Sequence, residues 1–585
     1  MKSKTLEDIL ALFDVEGKIF DSYQVVSALN SLPESEYRRK ECQYECLAFM
    51  LQPNAQDKSF GGYYGPQTTY VDKNCIIKHV PSFDEITKDA VSYWEQRYKV
   101  ANSSLMKMRY SGLVWDFKKR IINEKNDNDL YRTYVDSMLD VCNNDLTSHP
   151  TITTTIFYRL FSIACKQEKD LIKVKASLRS FENRHADDDS VNYWACQIKL
   201  MIDNKKLFSQ EEIYALIKEH EERMSRLFVS IEDNFSSVWV LEKQCDLLAD
   251  FYNRESRKDD VRRVLKVSEE AYRKTFVSDG SAHIQAVLTS FYHKYNHYNL
   301  RNEAKSLLLE IQNIGTEVTS AMTTQQFKVS IPKQVFDQLD EWFGTKANSD
   351  EKRLRNFLYY FIPDKNQEEK SLLESIQQNP LLSLMPTQFL DYKGRPQSVI
   401  GSYDNDKEGQ LVIHMTKKLN IDNFFLYMAI KKMNEVGQFT PERIMEEIIK
   451  PCPLFEDNSY PVIRQALDFY FQEIPVITCH LLVPQIENAI RNLVEESGYS
   501  VIKHQEKKLG FQLITLDELL YNESVKKVFP FNGDFYLRLV LTDQRSLNIR
   551  NNICHGILPP INYDIYLASR LLHVLILIGM VRFEK

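Results

Sequence analysis

The segment from Ile474 to Gly498, IPVITCHLLVPQIENAIRNLVEESG, decides how the C-terminal part of the chain is read. Its apolar residues recur near i, i+3, i+4 and i+7, the repeat of one buried helical face, and Gly498 stands just past the last turn. Outward from it, Thr440-Pro441-Glu442-Arg443 places a capping Thr before a Pro at the first helical position. Tyr460 to Phe471 reads as a second helix, Thr515 to Leu520 and Phe535 to Leu541 as two short ones, and Tyr563 to Val581 as the last. The most apolar run, Leu571 to Val581, contains His573 and falls far short of the ~20 residues that span a bilayer. It predicts a buried terminal helix. Residues 440–585 are thus expected to form an all-α bundle.

The rest of the chain is also mainly α by periodicity. Residues 1–120 predict amphipathic helices around a Gly/Tyr-rich loop, Gly61 to Pro66, with Trp115 in the core. Residues 121–312 read as a helical, repeat-like region, with a charged break from Asn123 to Asp129 and nearly continuous helix from Ile152 to Ile311. Phe251-Tyr252-Asn253-Arg254 is echoed forty residues on by Phe291-Tyr292-His293-Lys294, a spacing that fits an α-solenoid offering a partner surface or a plain helical scaffold. Residues 313–439 are expected to be a connector: Ser/Thr-rich from Thr316 to Thr324, a strand-like run from Phe327 to Ile331, short helices, then a small β-hairpin. That hairpin is read from Phe389 to Tyr403 around the Lys393-Gly394-Arg395-Pro396 turn, with Gln410 to Ile413 as a further strand.

Composition narrows the function classes. A hydrophobic content of 43% over 585 residues supports packed cores, and only 17 Gly and 19 Pro disfavour sandwiches and barrels. A net charge of −7 means that any contact with nucleic acid must be local. The ten cysteines are scattered through apolar patterns, as expected of reduced thiols in the cytoplasm. Met1 to Asp8 shows no apolar core of a signal peptide. Cys42 and Cys46 share a helical face but have no second ligand pair nearby, so no metal is expected, and the absence of a Walker loop predicts no nucleotide cofactor.

One motif carries chemistry. Leu547-Asn548-Ile549-Arg550-Asn551-Asn552-Ile553-Cys554-His555-Gly556 fits R-x-x-x-x-H with Asn directly after the Arg, placed before the last helix of a helical bundle. This text resembles the HEPN ribonucleases. Within them it is similar to a branch, usually catalogued as a domain of unknown function, that includes the endoplasmic-reticulum-membrane-associated RNA degradation protein. The Pro484 to Arg491 helix and the Asp391 to Pro396 turn resemble that branch too, so the likeness covers roughly the last 200 residues. The resemblance implies a metal-independent endoribonuclease acting at the interface of a two-fold homodimer formed by the C-terminal bundle, leaving a 2′,3′-cyclic phosphate and a 5′-hydroxyl.

The residue types suit such a reaction. His555 can act as base or acid near neutrality. Arg550 keeps a planar fork of donors for phosphate, and Asn551 can hold phosphate or orient His555. On one helix Asn551 and His555 share a face, whereas Arg550 lies about 140° away. Lys503, Lys507, Lys508, Lys526 and Lys527 could guide RNA or form a solvated face. Glu487 and Arg491 could be an ion pair or a pair beside the cleft. Tyr563 and Tyr566 could stack on bases or pack inside. Cys554 is expected to pack, and His480, beside Cys479, to be a core histidine. Three functions follow: an endoribonuclease of the toxin or anti-phage-defence kind cutting tRNA or mRNA, with a protein partner or trigger on the N-terminal helices; a HEPN module gripping RNA or nucleotide without cutting; or a protein scaffold.

Overall fold

Thr, Ser and Asp residues cap the helices that the periodicity predicts. Thr5, Asp21, Thr87, Ser103, Asp127 and Ser209 each accept a backbone N–H at a helix start, as Thr440, Thr515 and Asp564 do further on. The structure, a computed structural model, describes residues 4–53, 60–71, 77–231, 237–275, 280–323, 330–347, 349–505, 510–529 and 532–583. It is mainly α. The strands among the described residues form only two-stranded antiparallel pairs. Two compact units divide the chain, Met1–Leu307 and Leu308–Lys585.

In the first unit, the Gly61 to Pro66 loop is pinned to a helix. The elements used below are α1 (Ser22–Asn30), α2 (Lys40–Met50), α3 (Ser104–Phe117), α4 (Asn128–Asn143) and α5 (Pro150–Ala164). The Asp116 carboxylate in α3 accepts the backbone N–H groups of Tyr63 at 2.6 Å and Tyr64 at 3.0 Å. A Cβ at Gly62 would stand 2.9 Å from that carboxylate, which is why the loop needs glycine there. Trp115 is half-buried against Tyr131 and Tyr134 rather than central. The fully enclosed tryptophan of this core is Trp94. Phe251 and Phe291 of the echoed motifs are both buried, in the helices Ser237–Arg254 and Ser281–His297.

A carboxylate lies fully inside this unit. Glu45 of α2 accepts hydrogen bonds from the Tyr110 hydroxyl at 2.7 Å, the Tyr93 hydroxyl at 2.8 Å and Arg97 Nε at 3.0 Å. Glu45→Leu should therefore destabilise the protein by about 3 kcal/mol, because it strands the half-buried Arg97 guanidinium and two hydroxyls. A urea unfolding midpoint no lower than that of the parent would contradict this.

In the second unit the boundaries expected from sequence shift. Thr316 to Ala321 continue the helix Arg301–Ala321 instead of forming a connector. Their hydroxyls donate to carbonyls one turn back, as Thr319 does to Gly315 O and Ser320 to Glu317 O, so the helix satisfies them itself. The strand expected from Phe327 to Ile331 lies mostly outside the described residues, and Ser330 and Ile331 are not in a strand. The hairpin forms, Thr387–Leu390 against Pro396–Ile400. Asp391 accepts from the backbone N–H groups of Lys393 and Arg395, both at 2.9 Å, and the turn at Gly394 packs directly on Gly315, where neither position has room for a Cβ.

Gln410 to Ile413 is not a strand. It lies within the first two turns of α6 (Lys407–Glu435), which is capped by Asp406, whose carboxylate accepts Gly409 N–H at 2.8 Å. A four-residue apolar run does not distinguish the two structures, and the length of the buried stripe from Leu411 through Leu419 to Met433 settles it. Residues 313–439 are accordingly more than a connector: Phe343, Phe357, Met415 and Ile430 share one core with the bundle. That bundle adds α7 (Tyr460–Phe471), α8 (Pro475–Glu496), α9 (Gly533–Leu541), α10 (Ile549–Cys554) and α11 (Ile565–Gly579), while Ile444–Ile449 winds as a π-helix.

Helix α11 is the centre of this core. Its His573 is fully enclosed between the Tyr536 hydroxyl at 2.7 Å from Nδ1 and the Phe357 carbonyl at 3.0 Å from Nε2. Burial, then the neighbouring Arg570, pushes its pKa from 6.5 down to about 3. The unfolded imidazole binds a proton below about 6.5 and the folded one does not, so acid favours unfolding throughout that window. Stability should fall by ~1.4 kcal/mol per pH unit from this group as pH drops below 6.5 towards 3, beyond the contribution of the carboxylates. His573→Gln should flatten that slope in urea titrations. An unchanged slope would refute the assignment.

Candidate active site

A single-turn helix presents the R-x-x-x-x-H residues. α10 begins at Asn548, which is buried and adopts a left-handed conformation with φ 48°, a geometry that Asn tolerates better than most residues. Just before it, Arg545 pairs with Glu408 of α6 at 2.9 Å, and the Ser546 hydroxyl accepts from Thr416 at 2.8 Å. The helix ends at His555. Gly556, at φ 63°, donates to Ile553 O at 3.0 Å, and Ile557 donates to Asn552 O at 2.8 Å, the pair of bonds of a Schellman cap. The glycine after the histidine is what stops the helix there.

Arg550 is half-buried and held from two sides. Its Nε donates to Glu487 Oε2 of α8 at 2.8 Å, and its Nη1 to Asn551 Oδ1 at 3.0 Å. Glu487 Oε1 also accepts from Arg491 Nη2 at 3.1 Å, and Arg491 Nη1 donates to Ile514 O at 2.8 Å. One carboxylate therefore bridges two guanidinium groups, and Arg491 is used to fix Glu487 and the chain at Ile514. Asn551 in turn donates to Asn548 Oδ1 at 2.8 Å. Its amide orients Arg550, not His555 as the i, i+4 spacing suggested.

His555 differs from the rest of the motif. Its ring is exposed and has no hydrogen bond or ion pair among the described residues. Cys554, expected to pack, is exposed as well. Burial of part of its surface raises its thiol pKa while Arg550 opposes the rise.

The flanking residues sort differently from expectation. His480 is exposed, not a core histidine, because it sits about 100° around α8 from the buried Cys479. Its ring stacks on Tyr563 with centroids 5.2 Å apart and planes at 16°, which makes Tyr563 a half-buried neighbour of the site. Tyr566 packs edge-on against Tyr427 at 5.6 Å. Lys503 pairs with Glu518 at 2.6 Å. That lysine, then the Thr515 N–H, holds the Glu518 carboxyl down at about 2. Lys526 pairs with Glu523 at 2.7 Å. Lys507 and Lys508 lie outside the described residues.

The sequence reading missed the roles of Asn548 and Gly556 and the His480–Tyr563 stack. Asn548 and Gly556 carried a signal, since Asn and Gly bracketing seven residues is the composition of a turn with left-handed ends. Among the described residues no group of His, Cys, Asp and Glu is placed to hold a metal ion, and no helix is long and apolar enough to cross a membrane. No protein-family model, curated protein or solved structure matches the chain.

Proposed function

We propose that the second unit carries a HEPN-type endoribonuclease site that cleaves RNA without a metal, using Arg550, Asn551 and His555. The observation that carries this reading is the contrast within the motif: Arg550 is fixed by Glu487 and Asn551, whereas the His555 imidazole stands exposed, with no partner among the described residues. A fixed cation and a free titratable ring are what transesterification needs. The imidazole removes the 2′-hydroxyl proton, the 2′-oxygen attacks phosphorus, and the P–O5′ bond breaks as the departing 5′-oxygen takes up a proton. Arg550 offsets the charge of the five-coordinate phosphorane. A second copy of the chain would supply the second imidazole as the acid, which makes a two-fold homodimer part of the proposal. The biological setting would be an effector of the toxin or anti-phage kind, with the first unit receiving a trigger or protein partner.

One observation favours a second reading. Glu487 already pairs with Arg550, and a phosphate must compete with it, as in a module that binds RNA without cutting it. Incubating the full chain with tRNA and with mRNA in EDTA, followed by denaturing gels and end-group analysis, separates the two. Fragments ending in 2′,3′-cyclic phosphate support the nuclease. Retention of RNA with no fragments supports the binding module and defeats the nuclease.

A further inference from the structure

The first unit holds a cavity of about 540 Å3 between α1, the Tyr63-Tyr64 loop, α3, α4 and the start of α5. This volume is within the range of small-molecule sites, roughly 300–1,000 Å3. Its walls include the aromatic rings of Phe49, Tyr64 and Tyr134 and the Met108 thioether. The Tyr63-Tyr64 wall is held by Asp116 through the two backbone hydrogen bonds described above.

A single arginine sets the polarity of this cavity. Arg109 of α3 is half-buried, with its guanidinium 5.3 Å from the Phe49 ring centroid and 5.4 Å from that of Tyr64. It donates to the Leu51 carbonyl at 2.8 Å and to the Ser22 hydroxyl, and it has no ion pair among the described residues. The neighbouring half-buried arginines are different: Arg97 is matched by Glu45 and Arg159 by Asp116. Asp21 at the rim is exposed, and its carboxylate is spent on the Gln24 N–H at 2.8 Å, at the start of α1. Neither α3 nor α5, which open on the cavity with their N-terminal turns, has an acidic residue there, and α5 is capped by His149. A half-buried guanidinium without a carboxylate is costly, and an anion entering the cavity would relieve that cost.

We infer that this cavity binds an organic anion with a flat aromatic body, its carboxylate or phosphate on Arg109 and its ring between the Phe49, Tyr64 and Tyr134 side chains. The fork of Arg109 suits either head group, and offset or edge contacts with the aromatic walls suit the ring. This inference does not depend on the ribonuclease reading of the second unit.

Calorimetric titration of the full chain tests it with two probe pairs, 2-naphthoate against 2-naphthylmethanol and AMP against adenosine. At least one anion should bind one-to-one, about ten-fold or more tighter than its neutral partner. Binding of naphthoate alone assigns a carboxylate ligand, and binding of AMP alone a phosphate one. Arg109→Met should weaken the anion by about ten-fold or more. Thr155→Trp, at an exposed lip of the cavity, should block entry while leaving Arg109 in place, so it decides the matter should Arg109→Met fail to fold. Absence of binding by both anions, equal binding of the neutral partners, or wild-type binding by the folded Thr155→Trp protein would overturn the site.

Discussion

His555→Ala is expected to lower the rate of RNA cleavage by about two to four orders of magnitude while leaving the protein folded. The separation of these effects follows from where the ring sits. Its backbone forms the end of α10, but that end is held by the Gly556 and Ile557 amides and by Asn548 at the other side, none of which involves the imidazole. The ring is exposed and makes no hydrogen bond among the described residues, so its removal opens no cavity and strands no polar group. The measurement is an initial rate on a labelled tRNA and on an mRNA, paired with circular dichroism and a thermal midpoint. A folded His555→Ala protein that cuts RNA at the parental rate would falsify the nuclease reading outright, because it would retain the chemistry without the side chain assigned to proton transfer. The adjacent Cys554 thiol is a poor substitute, since burial of part of its surface raises its pKa.

Arg550→Ala is expected to cost about two to three orders of magnitude in rate, the usual effect of deleting one preorganised donor to a developing oxyanion. Unlike the histidine substitution, it should also lower stability. Glu487 is largely buried and would be left with Arg491 as its remaining partner. Arg550→Lys separates the two contributions. A lysine can keep the charge beside Glu487 and recover the thermal midpoint, but it lacks the planar fork that reaches Glu487 and Asn551 together, so the rate should stay low. Parental activity in Arg550→Ala would remove the guanidinium from the chemistry. Activity restored fully by lysine would reduce its role to charge alone.

Much of the second unit was readable from local pattern. α7 and α8 were predicted nearly to the residue because a buried face on an amphipathic helix repeats every three to four positions and Gly498 marks the end. The turn at Gly394 was equally plain, since its left-handed backbone requires glycine. The reading failed where local pattern is degenerate. Gln410 to Ile413 could start a helix or form a strand, and only the long buried stripe of α6 distinguishes them. The Ser/Thr run near Thr316 looked like a connector, although those hydroxyls can be satisfied within a helix. The neighbouring Cys479 suggests a core position for His480, yet one position along a helix turns a side chain through about 100°.

The motif shows the same division. By itself the sequence determined that an arginine, an asparagine and a histidine stand at the edge of a terminal helical bundle, because residue type and helical periodicity are local properties. Tertiary structure decided which of them is held and which is free. Glu487 lies 63 positions from Arg550 and meets it only because α8 packs beside α10, and Asn551 turned to Asn548 and Arg550 because those partners were in reach. Fixed charge depends on partners brought together by packing, and that is a property of the fold that no short stretch of sequence contains.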